Sequence, residues 1–328
     1  MTELKRTHVH INESDRSLSM QTDSAPAPLA GEVLIEVKAA GINRADVLQR
    51  KGQYPPPEDA SPIMGLEVSG TVVATGPGVD EWSEGEQLCA LVHGGGYATH
   101  AIAPVSQCFP IPNGYTLEEA AALPEALLTV WNNVFQRAGL QPGQNVLLHG
   151  GASGVGTLGV SMCTAWGAQV FSTAGTVDKC RTVEALGAQK CVNYKTEDYL
   201  EVLSGLGLRN RIDVILDMVG GDYIDRNIAL AAPDGCIVNI AYQKGVKASV
   251  NFLPLMLKRV TLTGSTLRAQ TASQKAKMVV EIREQLFEHL DSGAVKPVLD
   301  QQFSLAECLR AQERMESGLH TGKILLIP

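Results

Sequence analysis

The sequence predicts an α/β protein with two domains, a doubly wound parallel sheet and a partly open β-barrel. Between residues 145 and 265, short apolar strands alternate with helices, which is typical of a parallel sheet covered on both faces. A glycine-rich turn follows the first of these strands. Short strands separated by glycines fill the first 120 residues, and this pattern favours an antiparallel barrel.

The glycine-rich turn links an apolar strand, residues 146–148, to a helix-compatible stretch from Thr157. This order fits a buried strand, a tight turn and a helix whose free N–H groups face a phosphate. Ser153 replaces the middle glycine of the G-x-G-x-x-G spacing, so the alternative is a glycine turn without a ligand. The residues that we expect at the pyrophosphate of a dinucleotide are Gly151, Ser153, Gly154 and Val155.

The later strands of this sheet are predicted at residues 169–172, 190–193, 212–217 and 236–240. Residues 233–235, with the sequence Pro-Asp-Gly, are expected to stop a helix near Ala232. Ligands of such sheets lie beyond the carboxyl ends of the strands. We therefore expect Val219, Ala241 and Tyr242 to border the cofactor.

The end of the second strand indicates which cofactor binds. NAD sites usually place Asp or Glu there to bond the ribose 2′-hydroxyl, but residues 172–176 contain no carboxylate. Gly175, Lys179 and Tyr194 instead form a small-residue pocket with a cation and a hydroxyl, which suits the 2′-phosphate of NADPH. The alternative is that Lys179 is a solvated helix residue. Asp178 would repel a phosphate unless its side chain points away.

The composition limits the possible functions. The 328 residues are 45% hydrophobic and 19% charged, with a net charge of −8, which disfavours nucleic-acid binding. The N-terminus lacks the apolar core of a signal peptide, and the apolar stretch at residues 120–131 is interrupted by Pro124 and Glu125. Seven scattered cysteines without C-x-x-C spacing suit a reducing compartment. We expect a cytoplasmic protein that does not insert into membranes.

Four segments carry a resemblance to a known family. Residues 39–46, 52–57, 65–70 and 153–157 resemble the zinc-less quinone oxidoreductases of the medium-chain dehydrogenase/reductase superfamily, in the NADPH:quinone reductase branch. The resemblance extends from about residue 31 to residue 328. It implies a discontinuous GroES-like domain, residues 1–122 and 266–328, around a Rossmann domain, residues 123–265, and small ligands usually bind in a cleft between domains. Relatives commonly dimerise through the edge of the nucleotide-binding sheet, and residues 260–263 offer an apolar edge.

Zinc ligands are missing from the expected positions. Zinc-dependent relatives have a catalytic cysteine where this chain has Asn43 and a zinc-binding histidine where it has Leu66. Their four-cysteine lobe falls between residues 90 and 112, where only Cys108 remains. Zinc needs three or four ligands in tetrahedral reach, so we expect no metal site. Glu67, which survives from the zinc motif, is expected to be a structural hydrogen-bonding carboxylate.

Loss of the metal favours one class of reaction. Alcohol oxidation needs a Lewis acid, whereas a quinone or an activated enone delocalises the developing charge over its own carbonyl groups. The expected activity is NADPH-dependent hydride transfer to quinones or similar electron-poor carbonyl compounds. The alternatives are an enone, alkenal or enoyl-thioester reductase and a non-catalytic NADPH-binding protein.

Three residues are candidates for the catalytic site. Tyr54 is expected to donate a hydrogen bond to the reduced carbonyl oxygen, although it also has the alternative of packing against the prolines at 55–57. The resemblance places Asn43 and Asp46 near the nicotinamide and the acceptor. Asp46 has the alternative role of capping a helix predicted at residues 44–50.

Three further residues are candidates for the nicotinamide side of the cofactor. Thr129 matches a threonine that contacts nicotinamide in relatives; its alternative is a helix-interior threonine bonded to its own backbone. Thr266 and Leu267 are expected to meet the nicotinamide from the start of the last segment.

Overall fold

The structure is a computed structural model that describes residues 4–328 and divides into two compact units. The first unit comprises Met1–Ala126, Arg268–Gly293 and Pro297–Pro328. The second unit comprises Leu127–Leu267 and Ala294–Lys296. Residues 1–3, on which part of the expectation about a signal peptide rests, lie outside the described residues. Within residues 4–328, no helix combines the length and the apolar composition needed to cross a membrane.

The strands of the described chain are numbered in order. They are β1 Lys5–Ile11, β2 Leu18–Ser24, β3 Glu32–Gly41, β4 Glu67–Thr75, β5 Gln87–Leu91, β6 His100–Pro104, β7 Cys108–Pro110, β8 Asn145–His149, β9 Gln169–Ala174, β10 Lys190–Asn193, β11 Ile212–Asp217, β12 Ala231–Asn239, β13 Thr261–Gly264, β14 Leu299–Ser304 and β15 Lys323–Ile327.

The helices are numbered in the same way. They are α1 Arg44–Arg50, α2 Leu117–Ala120, α3 Pro124–Val130, α4 Gly154–Ala165, α5 Val177–Ala185, α6 Tyr199–Gly205, α7 Tyr223–Leu230, α8 Phe252–Lys258, α9 Ala272–Gln285, α10 Phe287–Asp291 and α11 Cys308–Glu316. A π-helical segment, Trp131–Arg137, follows α3, and short 3₁₀ turns lie at Val105–Gln107 and Leu305–Glu307.

The first unit is built on a mostly antiparallel sheet. Its strand order is β14-β15-β3-β4-β5-β7, and β6 also pairs with β3. In the middle of β3, Val37 is buried while its neighbours Glu36 and Lys38 are exposed, as expected for a strand with one face on the core. The hairpin of β1 and β2 forms a separate two-stranded sheet.

The second unit is a parallel sheet with the strand order β10-β9-β8-β11-β12-β13. All of its strand pairs are parallel. Leu147, Ile215 and Ile237 at the centres of three strands are fully buried, because helices cover both faces of the sheet. This arrangement is that of a Rossmann sheet, and it confirms the predicted fold class.

Two predicted boundaries were wrong. The Pro-Asp-Gly segment at 233–235 does not end a helix, because α7 stops at Leu230 and the segment lies inside β12. Asp234 has a left-handed φ of 62° and the pairing of β11 with β12 shifts register, so the turn-forming residues make an irregularity within a strand. The helix predicted to run from 274 to 290 breaks at Leu286 into α9 and α10.

Candidate active site

In the second unit, the glycine turn joins β8 to the start of α4. Ser153 caps this helix: its Oγ accepts a hydrogen bond from the N–H of Gly156 at 2.9 Å, and its carbonyl oxygen accepts the N–H of Thr157 at 2.8 Å. A Cβ at Gly156 would lie 2.2 Å from the carbonyl oxygen of Gly150, so the close turn requires glycine there. The first-turn N–H groups of a helix have no partner within the helix, which makes this terminus suited to a phosphate.

The predicted pyrophosphate residues all lie at this turn. Gly151 donates its N–H to the carbonyl oxygen of Thr173 at 2.9 Å, which holds the turn beside β9. Ser153 is the N-cap residue, and Gly154 and Val155 are the first two residues of α4. The turn therefore presents main-chain donors and small residues where a pyrophosphate is expected.

The predicted 2′-phosphate residues lie together at the end of β9. A Cβ at Gly175 would lie 2.8 Å from the hydroxyl of Tyr194, so the tyrosine ring packs against the glycine. Lys179 is half-buried in the first turn of α5, where its N–H is bonded to the capping side chain of Thr176 at 3.2 Å. Asp178 is 90% exposed and forms an ion pair with Arg181 at 3.1 Å, which offsets its charge.

A buried polar network supports the carboxyl ends of β8 and β11. Asp217 accepts the N–H of Val219 at 2.6 Å and the side-chain amide of Asn227 at 3.1 Å. The Nε2 of His149 lies 2.8 Å from the amide oxygen of Asn227, and the hydroxyl of Tyr199 donates to the same oxygen at 3.0 Å. Burial lowers the pKa of His149, which favours a neutral imidazole. Sequence reasoning missed this network, although a histidine that ends an apolar strand is a usable signal.

The remaining cofactor candidates lie on loops of the second unit. The loops after β11 and β12 are joined because Lys244 donates its N–H to the carbonyl oxygen of Val219 at 2.8 Å. Ala241 is half-buried and Tyr242 is 49% exposed on the second of these loops. The structure thus brings Val219, Ala241 and Tyr242 to the same edge of the sheet.

Thr129 and the segment after β13 are linked through Asn133. The side-chain amide of Asn133 donates to the carbonyl oxygen of Thr129 at 2.8 Å, and its amide oxygen accepts the hydroxyl of Ser265 at 2.7 Å. Thr129 is 9% exposed, Thr266 is exposed and Leu267 is buried. The three predicted nicotinamide residues therefore lie on two segments that one asparagine holds together.

In the first unit, Asn43 belongs to a buried polar cluster. Its Nδ2 donates to Oε1 of Glu67 at 2.9 Å, and its Oδ1 accepts Nζ of Lys323 at 2.6 Å. Lys323 also donates to the same Glu67 oxygen and forms an ion pair with it. The other oxygen of Glu67 accepts the main-chain N–H of Glu125 at 2.9 Å. Glu67 is fully buried and has the structural role that the sequence predicts.

Asp46 occupies the centre of the same cluster. Its Oδ2 accepts the N–H of Asn43 and the hydroxyl of Tyr97, each at 2.8 Å, and its Oδ1 accepts the N–H of Gly65 at 3.2 Å. Burial raises the pKa of Asp46 to about 6. Because both oxygens are occupied, the carboxylate caps α1 and fixes the position of Asn43, as the capping alternative anticipates.

Tyr54 follows α1 and is half-buried, with its N–H bonded to the carbonyl oxygen of Leu48 at 3.3 Å. The guanidinium carbon of Arg268 lies 5.7 Å from the centre of the tyrosine ring. Cations at this distance stabilise an aromatic ring and limit its motion. Tyr54 is thus fixed beside a cation rather than only beside prolines.

Sequence reasoning missed Lys323 and Tyr97. Lys323 begins the otherwise apolar strand β15, and a lone lysine in such a run is a signal of a buried ion pair. Across residues 4–328, no group of three or more His, Cys, Asp or Glu side chains is arranged to hold a metal ion.

Comparisons with known proteins identify the family. Residues 29–113 match the alcohol dehydrogenase GroES-like domain family, and residues 154–282 match the zinc-binding dehydrogenase family. The chain is 31% identical over 296 residues to quinone oxidoreductase-like protein 2 of Bos taurus, covering 90% of this chain and 84% of that protein. The chain therefore belongs to the medium-chain dehydrogenase/reductase superfamily, which confirms the predicted family.

Longer proteins and solved structures also match. The chain is 31% identical over 304 residues to one subunit of the phenolphthiocerol/phthiocerol polyketide synthase of Mycobacterium tuberculosis, but it spans only 14% of that protein's length while the match covers 91% of this chain. The Escherichia coli quinone oxidoreductase solved with NADPH is 26% identical, with a TM-score of 0.83 and coverage of 99% of this chain and 100% of that one. The CurK enoyl reductase is 26% identical, with a TM-score of 0.84 and coverage of 98% and 99%.

Proposed function

We propose that this oxidoreductase uses NADPH, without zinc, to reduce quinones or similar electron-poor carbonyl compounds by hydride transfer. The observation that carries the cofactor choice is the end of β9, where Gly175 and Tyr194 lie together with Lys179 in the next helical turn. A lysine and a phenol hydroxyl are donors for a phosphate dianion, whereas the 2′-hydroxyl of NADH is best met by a carboxylate. The quinone oxidoreductase solved with NADPH supports the same choice.

The main chain of the glycine turn would hold the pyrophosphate. Ser153 spends its side chain on capping α4, so its role toward the cofactor is through its N–H, together with those of Gly154 and Val155. The space that a Cβ at Gly156 would take shows that the turn allows close backbone approach. Thr129, Thr266 and Leu267 would border the nicotinamide, and Val219, Ala241 and Tyr242 the adjoining part of the cofactor.

In the first unit, Asn43 and Tyr54 would orient the acceptor. Lys323 and Glu67 fix both ends of the Asn43 amide, so its orientation is set before any ligand binds. Asp46 acts as a positioning residue because it holds the main chain of Asn43. Tyr54 would donate a hydrogen bond to the acceptor oxygen as negative charge develops on it.

A second candidate function is reduction of an enoyl thioester. The similarity to the CurK enoyl reductase and to a polyketide synthase supports this alternative. The two functions differ in the acceptor, since one reduces a conjugated quinone carbonyl and the other an activated carbon–carbon double bond. A non-catalytic NADPH-binding protein is the third possibility.

The deciding experiment follows NADPH oxidation with 1,4-benzoquinone, an enone and a crotonyl thioester, before and after dialysis against a chelator. We expect acceptor-dependent oxidation that is fastest with the quinone and unchanged by the chelator. Preference for the thioester would select the second function. NADPH binding without turnover of any acceptor would leave the non-catalytic function.

We also propose a homodimer formed along β13. Four apolar side chains of α8, beside this edge of the sheet, are more than half exposed: Phe252 63%, Leu253 56%, Met256 64% and Leu257 65%. Contiguous exposed apolar side chains of this kind mark interaction sites. In size-exclusion chromatography with light scattering, Leu257→Glu should give a monomer. The equally exposed Leu319→Glu should remain dimeric, and a monomeric wild type would contradict the proposal.

The seven cysteines support the cytoplasm as the location. All seven are free thiols in the described chain, and all are buried. Unpaired thiols are typical of reducing compartments. Cell fractionation tests this location, and recovery in an oxidising compartment would contradict it.

A further inference from the structure

A pocket in the first unit has no part in the chemistry proposed above. Its volume is about 530 Å³, which lies in the range of small-molecule sites. Three segments form most of its wall, at residues 57–61, 93–94 and 268–275. Two cationic side chains, Arg268 and Lys275, line it.

Arg268 is almost completely buried but only partly bonded. Its side chain is 7% exposed, and Nη1 donates to the amide oxygen of Gln49 at 2.8 Å. Its Nε and Nη2 are buried and have no hydrogen-bond partner among residues 4–328. Buried guanidinium N–H groups are normally paired, and these two donors are adjacent in the planar group. They therefore form a donor pair that matches the two oxygens of a carboxylate or phosphate.

Lys275 adds a second buried cation to the same wall. It is 5% exposed, and its Nζ donates to the carbonyl oxygen of Arg268 at 3.3 Å, which leaves further donors on the ammonium group. Burial lowers the pKa of Lys275, and the nearby charge of Arg268 lowers it further. An anion between the two side chains would relieve this repulsion.

The acidic residues of the pocket are engaged elsewhere. Asp59 lies 3.1 Å from Nε2 of His93, and Glu32 accepts the N–H of Leu29 at 2.9 Å. The pocket wall also includes Ala272, the first residue of the fourteen-residue helix α9. The N-terminus of a helix carries a partial positive charge, so it adds to the field of the two cations.

We propose that this pocket binds a carboxylate or phosphate group of the acceptor, held by Nε and Nη2 of Arg268 and by Nζ of Lys275. The inference rests on the proposed function, because it assigns the substrate class of that reaction. Tyr54 connects the two, since its ring lies against the Arg268 guanidinium and its hydroxyl is proposed to meet the acceptor oxygen. The acceptor would then be a quinone or enone with an anionic substituent.

The first test measures binding without cofactor or turnover. Benzoate and phenyl phosphate are titrated calorimetrically, at low salt, into the wild type and the variants Arg268→Met, Lys275→Met and Lys277→Met. Lys277 is the matched control because it lies on the same helix and is 75% exposed. We expect at least a 10-fold weaker affinity in the first two variants and no change in the third, and the tighter of the two probes identifies the anion. Equal binding by all four proteins would overturn the proposal.

The second test uses two acceptors that differ only in charge. A benzoquinone with a propionate side chain is compared with its methyl ester, and kcat/KM is measured for each. We expect the wild type and Lys277→Met to prefer the carboxylate about 10-fold, and Lys275→Met to lose most of this preference. Benzoate binding without such a preference would overturn the assignment to the acceptor. Absence of turnover with both quinones, while Lys275→Met still loses benzoate, would contradict the proposed function alone.

Arg268→Met removes a buried side chain, so its folding is checked by thermal melting. Lys275→Met serves as the second variant if Arg268→Met fails to fold. A properly folded Lys275→Met that binds benzoate like the wild type contradicts the proposal on its own.

Discussion

The two units hold their polar residues in opposite ways. In the second unit, the cofactor candidates follow strand ends and several stay accessible, such as Tyr194 at 47% and Tyr242 at 49% exposure. In the first unit, Asn43, Glu67 and Lys323 are buried and bonded to one another, although 280 positions separate the first from the last. One unit thus presents donors to a ligand, whereas the other satisfies its polar groups internally.

This difference predicts different responses to mutation. A buried charge that loses its partner destabilises the fold, because desolvation is no longer compensated. A half-exposed cation that contacts a ligand affects binding and leaves stability nearly unchanged. Substitutions in the first unit should therefore change unfolding, and substitutions at the cofactor residues should change affinity.

The largest effect is expected for Lys323→Met. Glu67 would remain as a fully buried carboxylate without its cation, which typically costs about 3–5 kcal/mol of unfolding free energy. Urea unfolding measures this loss, and the double variant Lys323→Met/Glu67→Gln should recover a large part of it. The exposed Lys247→Met is the control. A loss below about 1 kcal/mol would mean that the pair is solvated and would remove the contrast between the units.

A smaller effect, on binding alone, is expected for Lys179→Ala. Loss of a charge-assisted contact to the 2′-phosphate should weaken NADPH binding about 10- to 100-fold and leave NADH nearly unaffected. Fluorescence titration with both cofactors measures this, with a melting temperature close to that of the wild type. Lys190→Ala, at the opposite end of the neighbouring strand β10, is the matched control. Equal losses for NADPH and NADH would refute the phosphate contact.

The smallest effect is a pH dependence in the first unit. Burial, followed by the charge of Glu67, raises the pKa of Glu125 to about 8 from an ordinary value of 4.5. Because the native pKa is above the unfolded one, its favourable contribution is present below pH 4.5 and is lost as the pH rises through 8. Glu125→Gln should therefore melt higher than the wild type at about pH 8.5, by a few degrees, and nearly equally at about pH 5.

Thermal melting at the two pH values checks this prediction. The exposed Glu84→Gln should melt like the wild type at both. A difference for Glu125→Gln that is the same at both pH values would show that ionisation is not its cause.

Local patterns were sufficient to predict much of the second unit. The predicted strands at 190–193 and 212–217 have the bounds of β10 and β11, because a buried parallel strand is a short apolar run that ends at polar residues. The Pro-Asp-Gly segment misled the prediction, since the same residues that stop a helix also tolerate a bulge inside a strand.

The candidate site divides in the same way. The glycine turn and the Gly175–Lys179 segment were found from residues close together in the chain. The partners of Asn43 were found only in part, because hydrogen bonds with Lys323 and Tyr97 depend on strands that come together only in the folded sheet. The unpaired donors of Arg268 also carry no sequence signal, since an arginine in a loop is usually solvated.

By itself, the sequence determined the parallel sheet, the phosphate-binding turn and the family, because these depend on the spacing of residues that are neighbours along the chain. Only the tertiary structure decided which carboxylates cap, pair or titrate and which cations remain unpaired. The physical reason is that burial and charge–charge contacts arise between segments far apart in the chain, and these set the cost of every buried charge.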